Sequence, residues 1–242
     1  MSEYYRAYEE RYRAVRDVGE FTWGHTRDDE RFTGAIGDWV RENELSGKRV
    51  AEFACGEGAA AVLLCGMGCI YEGYDIAPTA VEICQRALAG FENARVAQLD
   101  MVRQPLTENA YDGVLDVSGL HMLVTDADRA AYIGNVFRML KRGATALFWQ
   151  ESYREDAFEG NIDSIDQWKE YTGLDFDTPQ KRTIGNTGHE VMLKLLPARP
   201  RSREGYIAEF ERAGFAVEWF REIKNSDFMT MSAGILVRKP VL

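Results

Sequence analysis

Between residues 49 and 75 the sequence runs an apolar strand, a glycine-bearing turn, an apolar helix, a second strand and a carboxylate. Residues 49–54 (RVAEFA) read as a buried strand, and residues 56–66 open on Gly56 and Gly58 and continue as apolar helix. Residues 70–75 form the next strand and end on Asp75. A strand that turns into a helix and returns as a strand builds a parallel pair with the helix on one face. The alternation continues. A helix is predicted at 79–90, opened by a capping box of Thr79 and Glu82. Strands follow at 94–99 and 113–117. A helix at 126–140 presents Ile133, Val136, Phe137 and Leu140 on one face, with Gly143 as its C-cap, and a strand follows at 144–150. A helix at 206–213 and strands at 215–221 and 229–238 close the chain. The pattern predicts an α/β fold: a seven-stranded, mostly parallel sheet with helices on both faces, ending in an antiparallel C-terminal strand pair.

Two segments fall outside the alternation. At the N-terminus Tyr5, Tyr8, Tyr12 and Val15 recur at helical spacing, and Phe32, Ile36, Trp39 and Val40 mark a second helix. Residues 151–203 hold a short helix near Ile165 and Trp168 and a hairpin turning at Gly185-Asn186-Thr187-Gly188. This stretch is too long for a plain loop and reads as a cap inserted after the fifth strand. The division that follows is a helical cap segment at 1–46 and a catalytic domain at 47–242 carrying the inserted cap at 152–203.

Charge narrows the partners. Lys and Arg total 29 against 39 Asp and Glu, a net −10 that repels phosphate backbones and anionic lipid heads. Nucleic acid is disfavoured, and Arg199, Arg201 and Arg203 read as a solvated loop. No apolar run approaches the ~18 residues of a membrane span, and the opening MSEYYRAYEERYR is too polar for a secretory leader. A soluble, cytoplasmic protein with a small-molecule partner is expected, with homodimerisation left open. Cys55, Cys65, Cys69 and Cys84 form no CxxC pair and are expected as reduced, buried thiols.

The turn Glu52-Phe53-Ala54-Cys55-Gly56-Glu57-Gly58 lets backbone pass close to a ligand, and the helix after it offers free amides to a carboxylate. Asp75 stands where it would accept from both hydroxyls of a ribose. A dinucleotide and S-adenosylmethionine (SAM) both suit this logic. A dinucleotide turn wants a third glycine, whereas Ala59-Ala60-Ala61 follows Gly58 here. Glu52 would oppose a pyrophosphate and suits the ammonium of a methionyl group.

On these residues the sequence resembles the class I SAM-dependent methyltransferases. Their acidic-x-Gly-x-Gly-x-Gly motif is matched by residues 52–58, with Ala54 in place of the first glycine. Their second and third acidic positions match Asp75, followed by Ile76, and Asp100, followed by Met101. Residues 111–117, including Asp116 and Val117, look like the family's fourth strand, and Leu120-His121 like the Leu-His after it. Leu140-Lys141-Arg142-Gly143 resembles the family's Leu-Lys-Pro-Gly. The resemblance covers residues 48–150 well and implies SAM as cofactor, held by Glu52, Ala54, Gly56, Gly58, Asp75, Ile76, Asp100, Met101, Asp116 and Val117. Tyr8-Glu9-Glu10-Arg11-Tyr12 and Trp23 look like the aromatic N-terminal cap of thiopurine and thiol methyltransferases, which closes over the cofactor. An amphipathic helix packed on the core would give the same stripe.

Methyl transfer from a sulfonium is a one-step displacement in which alignment alone supplies ~7–11 kcal/mol. A base is needed only when the nucleophile loses a proton. His121, after the fourth strand, is the first candidate base. Glu151, ending the fifth strand, would orient a substrate amine or hydroxyl, and His189 would reach the substrate if the insertion is a lid. No metal is expected, since a His121–His189 pair has no third ligand at a readable spacing. Trp23 and Tyr153 are candidate pocket aromatics, whereas Trp149 reads as strand core and Trp168 as the insertion's anchor. Two other functions stay open: a SAM-sensing or partner-binding module without turnover, and an NAD-dependent oxidoreductase.

Overall fold

A short 3-10 turn at Tyr4–Ala7 runs into α1 (Tyr8–Asp17), and α2 (Glu30–Glu42) leads to the first strand. The repeating units are β1 (Arg49–Phe53), α3 (Ala59–Gly66), β2 (Ile70–Asp75), α4 (Pro78–Ala87) and β3 (Ala94–Gln98), then β4 (Tyr111–Val117), α5 (Asp126–Met139) and β5 (Leu140–Ser152). Next come α6 (Ile165–Thr172), the hairpin β6 (Gln180–Ile184) and β7 (His189–Leu193), α7 (Arg203–Arg212), β8 (Ala216–Lys224) and β9 (Met231–Arg238). The computed structural model describes residues 4–19, 30–104, 106–184, 188–224 and 231–241. Trp23, His25 and turn residues 185–187 lie outside the described residues.

The seven-stranded sheet has the order β3-β2-β1-β4-β5-β9-β8. Strands β1 to β5 pair in parallel, and β9 runs antiparallel to both β5 and β8, as the alternation predicted. The chain winds outward from β1 to β3 and then returns to place β4 on the other side of β1. That reversal leaves a crevice at the carboxyl ends of β1 and β4, where ligands of open α/β sheets bind.

Both faces are covered, which is why the central strands read as near-continuous apolar runs. One face carries Phe53, Val114 and Phe148 against Tyr132, Ile133 and Val136 of α5 and Tyr206 and Phe210 of α7. The other carries Val50, Leu115 and Leu147 against Ile36, Trp39 and Val40 of α2 and Ala60, Ala61 and Leu64 of α3. Each such large side chain contributes ~1.5–3 kcal/mol on burial. Trp149 lies in the second core as expected, and Trp168 anchors the insertion against Val124, Ile162 and Phe176.

Three local expectations are corrected. Thr79 does not cap α4; Ala77 stands at the N-cap, and the Thr79 N–H and hydroxyl both donate to the Glu9 carboxylate of α1, at 3.0 and 2.7 Å. Gly143 is not the C-cap of α5. That helix ends at Met139, Leu140 turns directly into extended backbone, and Gly143, at φ +78°, sits in an irregular stretch of β5 with its N–H on Lys239 O. Arg199 and Arg201 are not solvated. Arg199 is fully buried and donates to Val124 O, Asp126 and Gly160 O, while Arg201 pairs with Glu159 and Glu209. A buried guanidinium has to satisfy its fork of donors, and these carbonyls and carboxylates tie the insertion to α5 and α7. All four cysteines are free and buried. No helix among the described residues is long and apolar enough to cross a membrane.

Candidate active site

A cavity of about 450 Å³ opens at the carboxyl edge of the sheet, within the ~300–1,000 Å³ of small-molecule sites. Its floor is the turn after β1. Gly56 and Gly58 have φ of +51° and +84°, the left-handed region that suits glycine. A Cβ on Gly58 would meet Cys84 Sγ at 2.7 Å, and one on Gly56 would meet the Tyr12 hydroxyl at 2.8 Å. Ala54 adopts the same left-handed backbone, φ +53°, with a side chain. Asp75 pins the turn: Oδ2 accepts from Gly56 N–H and Oδ1 from Ala77 N–H, both at 2.9 Å.

The walls are carboxylates. Glu52 is buried with the Tyr71 hydroxyl donating to Oε2 at 2.6 Å, and burial pushes its pKa up to about 8. Burial likewise pushes Asp75 up to about 6, against the pull of its backbone donors. Asp100 Oδ1 accepts from the Val102 and Arg103 amides, and its Oδ2 takes Arg6 at 3.0 Å and the Tyr5 hydroxyl at 3.4 Å. The sulfur of Met101 accepts from Ala54 N–H at 3.2 Å. Ile76 and Val117 complete this side.

The 3-10 turn and α1 form the roof with Tyr5, Tyr8 and Tyr12, at the spacing that marked this face in the sequence, and with Arg11 beside them. Glu9 fastens that roof to the amino end of α4, where a carboxylate meets free amides and the positive end of the dipole. The insertion adds Leu196 and Ala198, and Val15 packs on Leu193 of the hairpin. Three buried carboxyls, Glu52, Asp75 and Asp100, with Arg11 as the only Arg or Lys among the described lining residues, suit a cationic ligand. A sulfonium with an ammonium tail supplies that charge, whereas a pyrophosphate would face like charges.

The comparisons agree with this geometry. Residues 50–143 match a family profile described as a methyltransferase domain. Over those residues the chain is similar to a methyltransferase domain, and its fold is the Rossmann-like one of class I methyltransferases. Among solved structures, a SAM-dependent methyltransferase from Methanosarcina mazei is 16% identical, with a TM-score of 0.62 over 84% of this chain and 98% of that one. Another from Clostridium acetobutylicum is 14% identical, with a TM-score of 0.64 over 88% and 92%. The cyclase SpnF is 14% identical, with a TM-score of 0.67 over 97% and 96%. At these identities the likeness is one of fold. No curated protein matches the chain.

The far wall of the cavity carries the polar groups at the ends of β4 and β5. His121 lines the cavity in a 3-10 turn, Leu120–Met122, that follows β4. Glu151 is fully buried and points at His121, not into the cavity: its Oε2 accepts the His121 backbone N–H at 2.8 Å and faces Nδ1 at 2.9 Å. The structure therefore joins two residues that the sequence offered separately. Burial pushes the His121 pKa down to about 4, so its ring is neutral near pH 7. Asp116 lies beneath, fully buried, taking the Tyr132 hydroxyl at 2.6 Å and the Gly119 N–H at 2.7 Å.

Two other candidates sit elsewhere. His189 is exposed at the start of β7, opposite Ile184, and is not among the cavity-lining residues. Tyr153 belongs to the core, with its hydroxyl on Glu222, because its ring packs on Phe220. Among the described residues no group of three His, Cys, Asp or Glu side chains could hold a metal ion. Sequence reasoning missed Arg11, Cys55, Glu57 and Tyr132 as lining residues. The first three lay inside quoted motifs, and Tyr132 adjoins the recognised apolar face of α5.

Proposed function

We propose that the protein transfers the methyl group of SAM to a small acceptor held in the cavity beneath α1 and the inserted cap. The observation that carries this reading is the pairing of an acid-walled adenosyl-sized floor with a cavity-facing histidine backed by a buried glutamate. Asp75 would take the ribose hydroxyls, Glu52 the ammonium, and Asp100 and Met101 the adenine edge, with Ile76 and Val117 packing on the rings. Residues 1–46 would serve as a helical cap on a catalytic domain at 47–242, with 152–203 as a second cap. The turn at Gly56–Gly58 and the amino end of α3 would receive the methionyl carboxylate.

His121 would act as base. With Nδ1–H donated to Glu151, Nε2 keeps its lone pair for the acceptor's proton, and the carboxylate stabilises the imidazolium that forms. Closure by two caps would exclude water and align nucleophile, methyl and sulfur.

A second reading keeps SAM bound without transfer, and the likeness to the cyclase SpnF favours considering it, since one fold hosts several chemistries. The test is release of S-adenosylhomocysteine by the purified protein against a panel of phenols, alcohols, amines, thiols and carbon acids. Acceptor-dependent release supports methyl transfer; SAM binding with no release on any acceptor favours the second reading.

A further inference from the structure

The two buried acids behind His121 stand closer than their positions in the sequence suggest. Phe148 of β5 pairs with Ile235, but Glu151 pairs with Ala233, so β5 holds one residue more than β9 across this stretch. Gln150 absorbs the extra residue in the left-handed region, φ +57°. Such a bulge re-aims the side chain that follows it. It brings Glu151 onto the face of β5 shared by Phe148, whose register partner on β4 is Asp116. The Asp116 and Glu151 carboxyls then meet.

The hydrogen bonds around them leave one gap. Asp116 accepts from Gly119 N–H and Tyr132, and the Glu151 carboxyl takes the backbone N–H groups of Leu120 and His121, the latter on Oε2. Glu151 Oε1 is buried and has no donor. The charged groups nearby do not supply one. Arg129 of α5 is committed to Glu209 of α7, at 2.7 and 2.8 Å, and to the carbonyls of Leu120 and Leu123. Tyr206 of α7 donates to Ser152 O. Glu52 and Asp75, on the far side of the floor, are acids themselves. The Arg129 charge favours an ionised Glu151 without bonding it, but two ionised carboxylates in contact would repel, whereas one proton between them makes a bond and satisfies Oε1.

We propose that Asp116 and Glu151 hold one proton between them and position His121 as a base, so that the acceptor is a molecule whose nucleophilic atom loses a proton on methylation: a hydroxyl, a thiol or an amine. This rests on the methyl-transfer reading. For a hydroxyl, the oxygen forms a bond to the methyl carbon as the sulfur–methyl bond breaks and its electron pair stays on sulfur. The hydroxyl proton moves to His121 Nε2 and later to solvent, and the proton of the acid pair stays where it was. An acceptor with no proton to lose, such as a thioether, would need none of this apparatus.

The test uses the full chain without ligand. Infrared difference spectra at pH 7 between wild type and Asp116→Asn, and between wild type and Glu151→Gln, should each show loss of a buried carboxylic-acid C=O band; Glu52→Gln serves as the control for the band of that other acid. Nitrogen-15 spectra should show His121 neutral with its proton on Nδ1, retained in Asp116→Asn and altered in Glu151→Gln. An unchanged acid band in both variants, or a wild-type His121 protonated on Nε2, overturns the proposal. Should one variant fail to fold, the other decides together with the wild-type tautomer: a lost acid band beside Nδ1–H supports the proposal, and an unchanged band or Nε2–H overturns it. Calorimetry with S-adenosylhomocysteine on the same samples reads the methyl-transfer proposal separately, since a protein that binds none of it fails that reading whatever the proton does.

Discussion

Gly58 carries two constraints at once, a left-handed φ of +84° and the Cys84 sulfur where a Cβ would stand. Left-handed backbone costs an L-residue ~1–2 kcal/mol and overpacking costs ~1–3 kcal/mol. Gly58→Ala should therefore destabilise by about 2–4 kcal/mol in urea unfolding. In a Cys84→Ala background the same change should cost only the backbone share, so a double-mutant cycle separates the two. Ala54 shows that the turn tolerates one left-handed side chain, with its Cβ directed at Gly119, where an added Cβ would lie 2.8 Å away. At this scale the cavity positions of Glu52, Asp75, Asp100 and Val117 were legible because each stands at or just beyond a strand end, where position in the sequence fixes position along the sheet edge. Tyr153 and Arg199 were not, because the same residue types serve a pocket or a core according to neighbours distant in the chain.

Helices and strands were legible wherever their signal was periodic, and their ends were not. The capping box at Thr79 and Glu82 is a sound local pattern, but Glu9, seventy positions upstream of Thr79, takes the Thr79 amide and hydroxyl instead and in doing so seats the roof. Glu9→Ala should cost about 1 kcal/mol, the usual loss for a helix cap. It should also make residues 1–17 markedly more sensitive to limited proteolysis, while cleavage elsewhere stays unchanged. Equal protection of that segment in the variant would show that the tyrosine face alone holds α1 down. The bulge in β5 was invisible from sequence for a related reason. Gln150 carries no glycine signal, and only the register against β9 reveals the extra residue that turns Glu151 toward His121.

For the molecule as a whole, the acid-walled cavity sets the response to pH. Glu52, Glu151 and Asp75 have folded values of about 8, 7 and 6, all raised by burial above their ordinary range. Such acids stabilise the fold fully below pH ~4, and that contribution is lost as pH rises through 6 to 8. His121, lowered by burial to about 4, acts in the other direction: its contribution is present above pH ~6.5 and lost as pH falls. The ligand-free protein should therefore lose stability between pH 6 and 8.5, by roughly 2–4 kcal/mol after allowance for relaxation. Thermal or urea unfolding at several pH values reads this directly; flat stability across the window would contradict the acid wall. A bound ammonium should oppose the loss by favouring ionised Glu52, so SAM should stabilise more at pH 8 than at pH 6.

On the proposed function, the crevice between β1 and β4 grips an adenosyl group through Asp75 and an amino-acid tail through the glycine turn. Calorimetric titration of S-adenosylhomocysteine into the full chain at neutral pH, beside Asp75→Asn, meets it head on. Saturable binding to the wild type is expected, weakened about tenfold or more in the folded variant by loss of a charged hydrogen-bond acceptor. No heat of binding to the wild type at millimolar ligand, or equal affinity in the two proteins, would contradict it.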